Sequence, residues 1–104
     1  MFHVLLALAD KERHGYEIMQ EVHERTEGSV RLGPGTLYGS IKRMLSDGLV
    51  EESAERPDPE LDDERRRYYR LTDFGFRVAR AEAERLALLL KGVRAKKLLS
   101  RTGV

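Results

Sequence analysis

The chain has 104 residues, 36% of them charged and 40% apolar, with 19 basic groups against 18 acidic ones and no cysteine. That profile is too apolar for a disordered segment and too charged for a membrane span, so it describes one soluble globular domain, hiding only roughly 60–68% of its unfolded surface. The missing cysteines exclude disulfide scaffolds, thiol nucleophiles and Cys-type zinc sites, and fit a reducing, cytoplasmic setting.

Phe2 to Ala9 is apolar on every face but one, which predicts a first helix packed on two sides. It is too short to span a bilayer, and it lacks the basic flank and cleavage site of a signal peptide. Asp10 to Arg13 is a polar break, after which His14-Gly15 opens a second helix running to about Glu27. Tyr16, Met19 and Val22, with Ile18 beside them, have the spacing of its buried face, while Glu17, Glu21 and Glu24 face solvent. His14 is expected to cap this helix and Gly28 to end it. Val30-Arg31-Leu32 reads as a short extended piece before Gly33-Pro34-Gly35, a stop followed by a new start.

The third helix begins near Thr36, its expected N-cap, and carries Leu37, Ile41, Met44 and Leu45 in one apolar stripe that Gly48 terminates. Tyr38, Gly39, Ser40, Lys42 and Arg43 fall outside the stripe and project away from the core. Leu49 to Ser53 and Arg65 to Leu71 read as the two strands of a hairpin, and the segment between them carries Pro57, Pro59 and a dense run of acids. Strand alternation puts Tyr69 and Leu71 on the core side and Arg66 outward. From Thr72 or Asp73 a last helix runs to about Leu99, roughly 42 Å at about 1.5 Å per residue. A compact domain of about 100 residues has a radius of gyration of only about 13 Å, so this helix must protrude. Ala79, Ala83, Leu86, Leu90 and Val93 form a 4-3-4-3 seam of the coiled-coil kind, which calls for a partner, the simplest being a second copy. Leu89, and Leu5 and Leu6 of the first helix, join that candidate dimer interface.

The fold class is therefore mainly α with a small β-hairpin: a winged helix-turn-helix over residues 1–72 and a C-terminal dimerisation helix over 73–104. The net charge of +1 is a cancellation along this plan. Residues 1–29 carry −3, 30–50 carry +2, 51–64 carry −7, 65–70 carry +4 and 71–104 carry +5. Such unevenness suggests a surface facing a polyanion beside one that avoids it.

His14-Gly15-Tyr16-Glu17-Ile18, Pro34-Gly35-Thr36-Leu37-Tyr38 and Arg66-Arg67-Tyr68-Tyr69-Arg70-Leu71-Thr72 stand in the order and spacing of the PadR family of bacterial transcriptional regulators, which the chain resembles over about residues 3–75. The resemblance implies a homodimeric winged-helix repressor with the third helix in the DNA major groove, the hairpin as wing and the last helix as dimer interface. It also implies regulation of transporter or stress genes and, in some members, release of DNA by small aromatic effectors. The chain departs from the family pattern in four ways. Gly39 stands where proline is usual, the first helix starts almost at Met1, no tryptophan is present to sandwich a flat ligand, and the last helix is short.

The candidate DNA-binding residues are Thr36, Tyr38, Ser40, Lys42 and Arg43 on the third helix, and Arg65, Arg66 and Arg67 at the root of the wing. Each has a plainer reading. Lys42 and Arg43 could line a solvated helix face, Thr36 could only cap, Tyr38 could stack over the core, and the arginines could pair with the carboxylates of Glu60 to Glu64. The acidic tip would be repelled by phosphate and is expected to bend away from it. His3, His14 and His23 lie too far apart in the chain to predict a metal site, and no nucleophile stands beside a base, so neither an enzyme nor a cofactor is predicted. The expected partners are double-stranded DNA, a second copy and an optional small-molecule effector, with no membrane. Two rivals remain: a winged-helix adaptor that binds proteins through its acidic tip, and a small-molecule sensor in which DNA is secondary.

Overall fold

A computed structural model describes residues 1–53 and 67–99. Helix α1, Phe2–Ala7, is followed by strand β1, Arg13–His14, and helix α2, Gly15–Arg25. Helix α3, Pro34–Ser46, leads into strand β2, Val50–Glu52, then β3, Tyr68–Leu71, and the long helix α4, Asp73–Ala95. Two helices, a turn, a third helix and a sheet-based wing are the parts of a winged helix-turn-helix, in agreement with the predicted class.

The sheet has three strands where a two-stranded hairpin was expected. Its order is β1-β3-β2, antiparallel throughout, with Val50 opposite Leu71, Glu51 opposite Arg70 and Glu52 opposite Tyr69. The added strand β1 sets Arg13 against Tyr69 and His14 against Tyr68, in the stretch read as a polar break and the opening of α2. Central β3 buries Tyr69 and Leu71 and leaves Arg70 exposed, the alternation that the pleat demands.

Helix α1 ends at Ala7, two residues short of the expected boundary, because the Arg13 Nε–H donates to the Ala7 carbonyl at 2.7 Å and takes the acceptor that another helical turn would use. Val4, Leu5, Ala7 and Leu8 are buried while Leu6, on the other side of the helix, is exposed. Leu5, assigned above to the interface between copies, is thus a core residue of the single chain.

In α2 the buried face is Ile18 and Val22, an i, i+4 pair, with Met19 partly buried; Tyr16 is 60% exposed. The expected Tyr16 face was rotated away from the true one. His14 caps this helix through a reciprocal box: its Nδ1 accepts from the Glu17 N–H at 3.3 Å, and its own N–H donates to Glu17 Oε1 at 3.2 Å. Between α2 and α3, residues 30–33 form a loop and not a strand.

Helix α3 starts at Pro34, whose ring suits the first helical position, so its N-cap is Gly33 and Thr36 lies third in the helix. Leu37, Ile41 and Met44 are buried, whereas Leu45 is 38% exposed, outside the stripe to which it was assigned. Gly48 at φ +75° closes α3 with paired bonds, Leu49 N–H to Met44 O and Gly48 N–H to Leu45 O.

Thr72 caps α4. Its Oγ1 accepts from the Gly75 N–H at 3.0 Å and donates to the Gly48 carbonyl at 2.5 Å, locking the start of α4 to the end of α3. Helix α4 stops at Ala95, short of the predicted Leu99, and runs without a break through Gly92. Val78 and Ala79 pack on the core made by α1, α2, α3 and the sheet, and beyond them the helix leaves the body. The chain is 52 Å long with a Cα radius of gyration of 15.8 Å, the elongation expected of a protruding helix.

Candidate nucleic-acid interface

Burial of Leu37, Ile41 and Met44 against the core turns the rest of α3 outward. Thr36, Tyr38, Gly39, Lys42 and Arg43 are exposed, and Ser40 is half-buried. Tyr38 and Lys42 are four residues apart and share one stripe of the helix. Lys42 and Arg43 are exposed, and among the described residues neither forms an ion pair. No side chain caps the first turn, because its N-cap is a glycine, and the Thr36 hydroxyl stands exposed beside the open N–H groups. A helix start of this kind favours an anion through its N–H donors and its dipole.

The wing root buries Tyr69 on its central strand. The Tyr69 hydroxyl is pushed above its ordinary value, first by burial, then by the nearby Glu52 carboxylate and by Tyr38, while Arg67 acts in the opposite direction. Glu52 is the cross-strand partner of Tyr69, and Arg67 pairs with that carboxylate. Arg67 is exposed and lies 3.6 Å from Glu52, and Arg70 donates to Glu51 at 2.9 Å directly across the ladder. Arg67 thus has a strand carboxylate as a partner, and its expected pairing with the tip acids Glu60 to Glu64 lies outside the described residues. Exposed pairs of this sort are worth about 0–1 kcal/mol, little enough for phosphate to displace them. Arg65, Arg66 and the acidic tip lie outside the described residues.

Two residues were missed by the sequence reading. Tyr16, given to the core, stands exposed at the start of α2 with its ring 6.5 Å from that of His14, which in turn meets Tyr68 edge-on at 5.2 Å. Gly15 is buried beneath Tyr38. The sequence held no signal for this, since Gly35 also lies in the first turn of its helix, α3, with nothing within 4 Å of a Cβ built on it. Among the described residues no group of three or more His, Asp or Glu side chains could hold a metal ion.

A second surface lies on α4 and α1. Leu6, Ala83, Leu86 and Leu89 are exposed and Ala79, Leu90 and Val93 half-buried, so the predicted seam is an apolar stripe largely without cover from its own chain. Open grooves flank the crossing of the two helices. One, of about 510 Å³, is bounded by Phe2, Leu5, Val78 and Ala81 with Glu82 and Arg85 at its rim. The other, of about 330 Å³, runs between Leu6 and Phe76 past Ala79 and Ala83. Among the described residues no helix is long and apolar enough to cross a membrane.

The transcriptional regulator PadR-like family matches residues 4–81, from α1 into α4. Protein X of Lysinibacillus sphaericus is 36% identical over 72 residues, covering 69% of this chain and 63% of that protein, so the chain spans less than two thirds of this relative. The crystal structure of a PadR family transcription regulator from Clostridium difficile R20291 superposes with a TM-score of 0.74 at 29% identity, covering 90% of this chain and 93% of that one. Bacillus subtilis PadR, solved in complex with operator DNA, has the same fold at 20% identity, with a TM-score of 0.65 over 79% of this chain and 44% of that one. A family match over three quarters of the sequence, with helix-turn-helix, wing and long last helix in place, identifies the chain as a member of the PadR-like family of transcriptional regulators, a family of DNA-binding proteins and not of enzymes.

Proposed function

We propose that this chain is one half of a homodimeric transcriptional repressor that inserts α3 into the major groove of a roughly palindromic operator. The carrying observation is the outward face of α3, where Lys42 and Arg43, in the second half of the helix, are exposed with no acidic partner among the described residues, and where the N-cap glycine leaves the helix start without a side-chain cap. In this reading residues 1–72 bind DNA and the helix from residue 73 holds the dimer. Lys42, Arg43, Thr36 and Ser40 contact base edges or phosphate, Tyr38 contacts the sugar-phosphate backbone, and Arg65, Arg66 and Arg67 hold the phosphates beside the wing. The stripe Leu86, Leu89, Leu90 and Val93, with Ala79, Ala83 and Leu6, pairs with its copy about a two-fold axis. An aromatic effector would enter the groove beside Phe2 and Val78, whose floor is apolar and whose rim carries Glu82 and Arg85.

Selection of bound fragments from random double-stranded DNA tests this reading. The expected product is an inverted repeat with half-site centres about one turn, roughly 34–36 Å, apart on one face of the duplex. A protein-interaction adaptor would enrich no sequence, and enrichment of a single asymmetric site would overturn the dimeric arrangement.

A further inference from the structure

The first residue of α2 lies beneath a side chain of α3. Gly15 is buried, and the three atoms nearest to a Cβ built on it all belong to Tyr38: the hydroxyl oxygen, then Cζ at 2.8 Å and Cε1 at 3.1 Å. Backbone conformation does not require glycine here, since the residues with positive φ among those described are Glu27, Gly28, Gly48 and Lys97. What position 15 requires is space. Tyr38 itself is 48% exposed, so the hydroxyl end of its ring rests over the Gly15 backbone while the rest of the side chain stays on the stripe that carries Lys42.

We propose that Gly15 is a positioning residue for DNA binding, whose bare Cα seats the hydroxyl end of the Tyr38 ring where the start of α2 meets the recognition helix, and so fixes the exposed remainder of the ring on the face offered to the sugar-phosphate backbone. The inference rests on the DNA-binding reading above. An alanine at position 15 collides with the far end of a half-exposed side chain and not with backbone, so the ring swings off its seat and the fold survives. The damage then appears in binding, and it is the damage that loss of Tyr38 itself causes. Once Tyr38 is gone, the alanine meets nothing of the ring.

The test is a double-mutant cycle on the full-length protein with the operator fragment selected above, reading affinity and thermal midpoint for wild type, Gly15→Ala, Tyr38→Ala and the double variant. Gly15→Ala and Tyr38→Ala should each weaken binding by about two- to tenfold, the range for one neutral hydrogen bond. The double variant should match Tyr38→Ala within about twofold, and the midpoint of Gly15→Ala should stay at the wild-type value. Additive losses, or an unchanged affinity for Gly15→Ala, overturn the seat while leaving DNA binding intact. If Gly15→Ala fails to fold, recovery of the fold in the double variant supports the seat, and continued unfolding overturns it. A wild-type chain that binds no fragment in a salt-dependent way overturns both the seat and the reading on which it rests.

Discussion

Leu86→Glu combined with Leu90→Glu is expected to yield a folded monomer that has lost its grip on the operator. The two leucines lie beyond Val78 and Ala79, the residues of α4 that pack on the core, so the winged helix does not depend on them. Across a two-fold axis the pair becomes four apolar side chains. Both leucines are already partly covered by their own chain, so a second copy adds for each only about a third of the roughly 1.5–3 kcal/mol of a fully buried leucine. Over the four that is roughly 2–4 kcal/mol, a quarter to a half of the about 8 kcal/mol of a micromolar dimer. Glutamates in their place would also set like charges against one another in the seam. Sedimentation should therefore show monomers with an unchanged far-ultraviolet circular dichroism spectrum, and operator affinity should fall by orders of magnitude once the two half-sites are bound independently. A dimer that persists in this variant moves the interface away from the second half of α4.

Gly75→Ala is expected to lower stability by about 3 kcal/mol, at the upper end of the usual range for overpacking. The added Cβ would fall on the carbonyl oxygen of Leu49. Unlike the ring above Gly15, that atom cannot swing aside. It is backbone, and it accepts from the Thr72 N–H, which together with the Thr72 hydroxyl on the neighbouring Gly48 carbonyl fastens α4 to the end of α3. Relief must come from lifting α4 as a whole. Gly92 is the internal control, because nothing lies within 4 Å of a Cβ there. Gly92→Ala should instead gain close to the helix-propensity difference of about 1 kcal/mol. Thermal unfolding of the two variants should move in opposite directions, by roughly 10–20 °C downward for Gly75→Ala and a few degrees upward for Gly92→Ala. Equal shifts would show that the approach of Leu49 to Gly75 does not constrain the helix.

The elements that could be read directly from the sequence are those whose burial is periodic within one segment. Leu37, Ile41 and Met44 define the buried face of α3 by spacing alone, and whatever remains of that helix is the outward face; the candidate interface was legible for that reason. Tyr69 and Leu71 announce the core side of β3 in the same manner. Spacing failed in α2, because Tyr16-Met19-Val22 and Ile18-Val22 are both helical intervals, and only the neighbouring elements decide between them. A tyrosine at the margin of an apolar face fits either side. Strand β1 was invisible since two residues have no period of their own; Arg13 and His14 become a strand only by pairing with Tyr69 and Tyr68. Thr36 was read as a cap by its residue type, but Pro34 at the first helical position moves the start of α3 back to Gly33. The packing needs of Gly15 and Gly75 lie furthest from the sequence, because each is set by an atom of another element, Tyr38 in one case and Leu49 in the other.

The salt dependence of operator binding is the most direct test of the central claim, that the outward face of α3 lies against duplex DNA. In a titration at several salt concentrations, the affinity of the wild-type chain should fall linearly on a log-log plot. Lys42→Ala should weaken binding and reduce the magnitude of that slope by about 1, the share of a single neutralised phosphate. An affinity and slope identical to those of the wild type would remove Lys42 from the interface, and binding indifferent to salt would contradict the account as a whole.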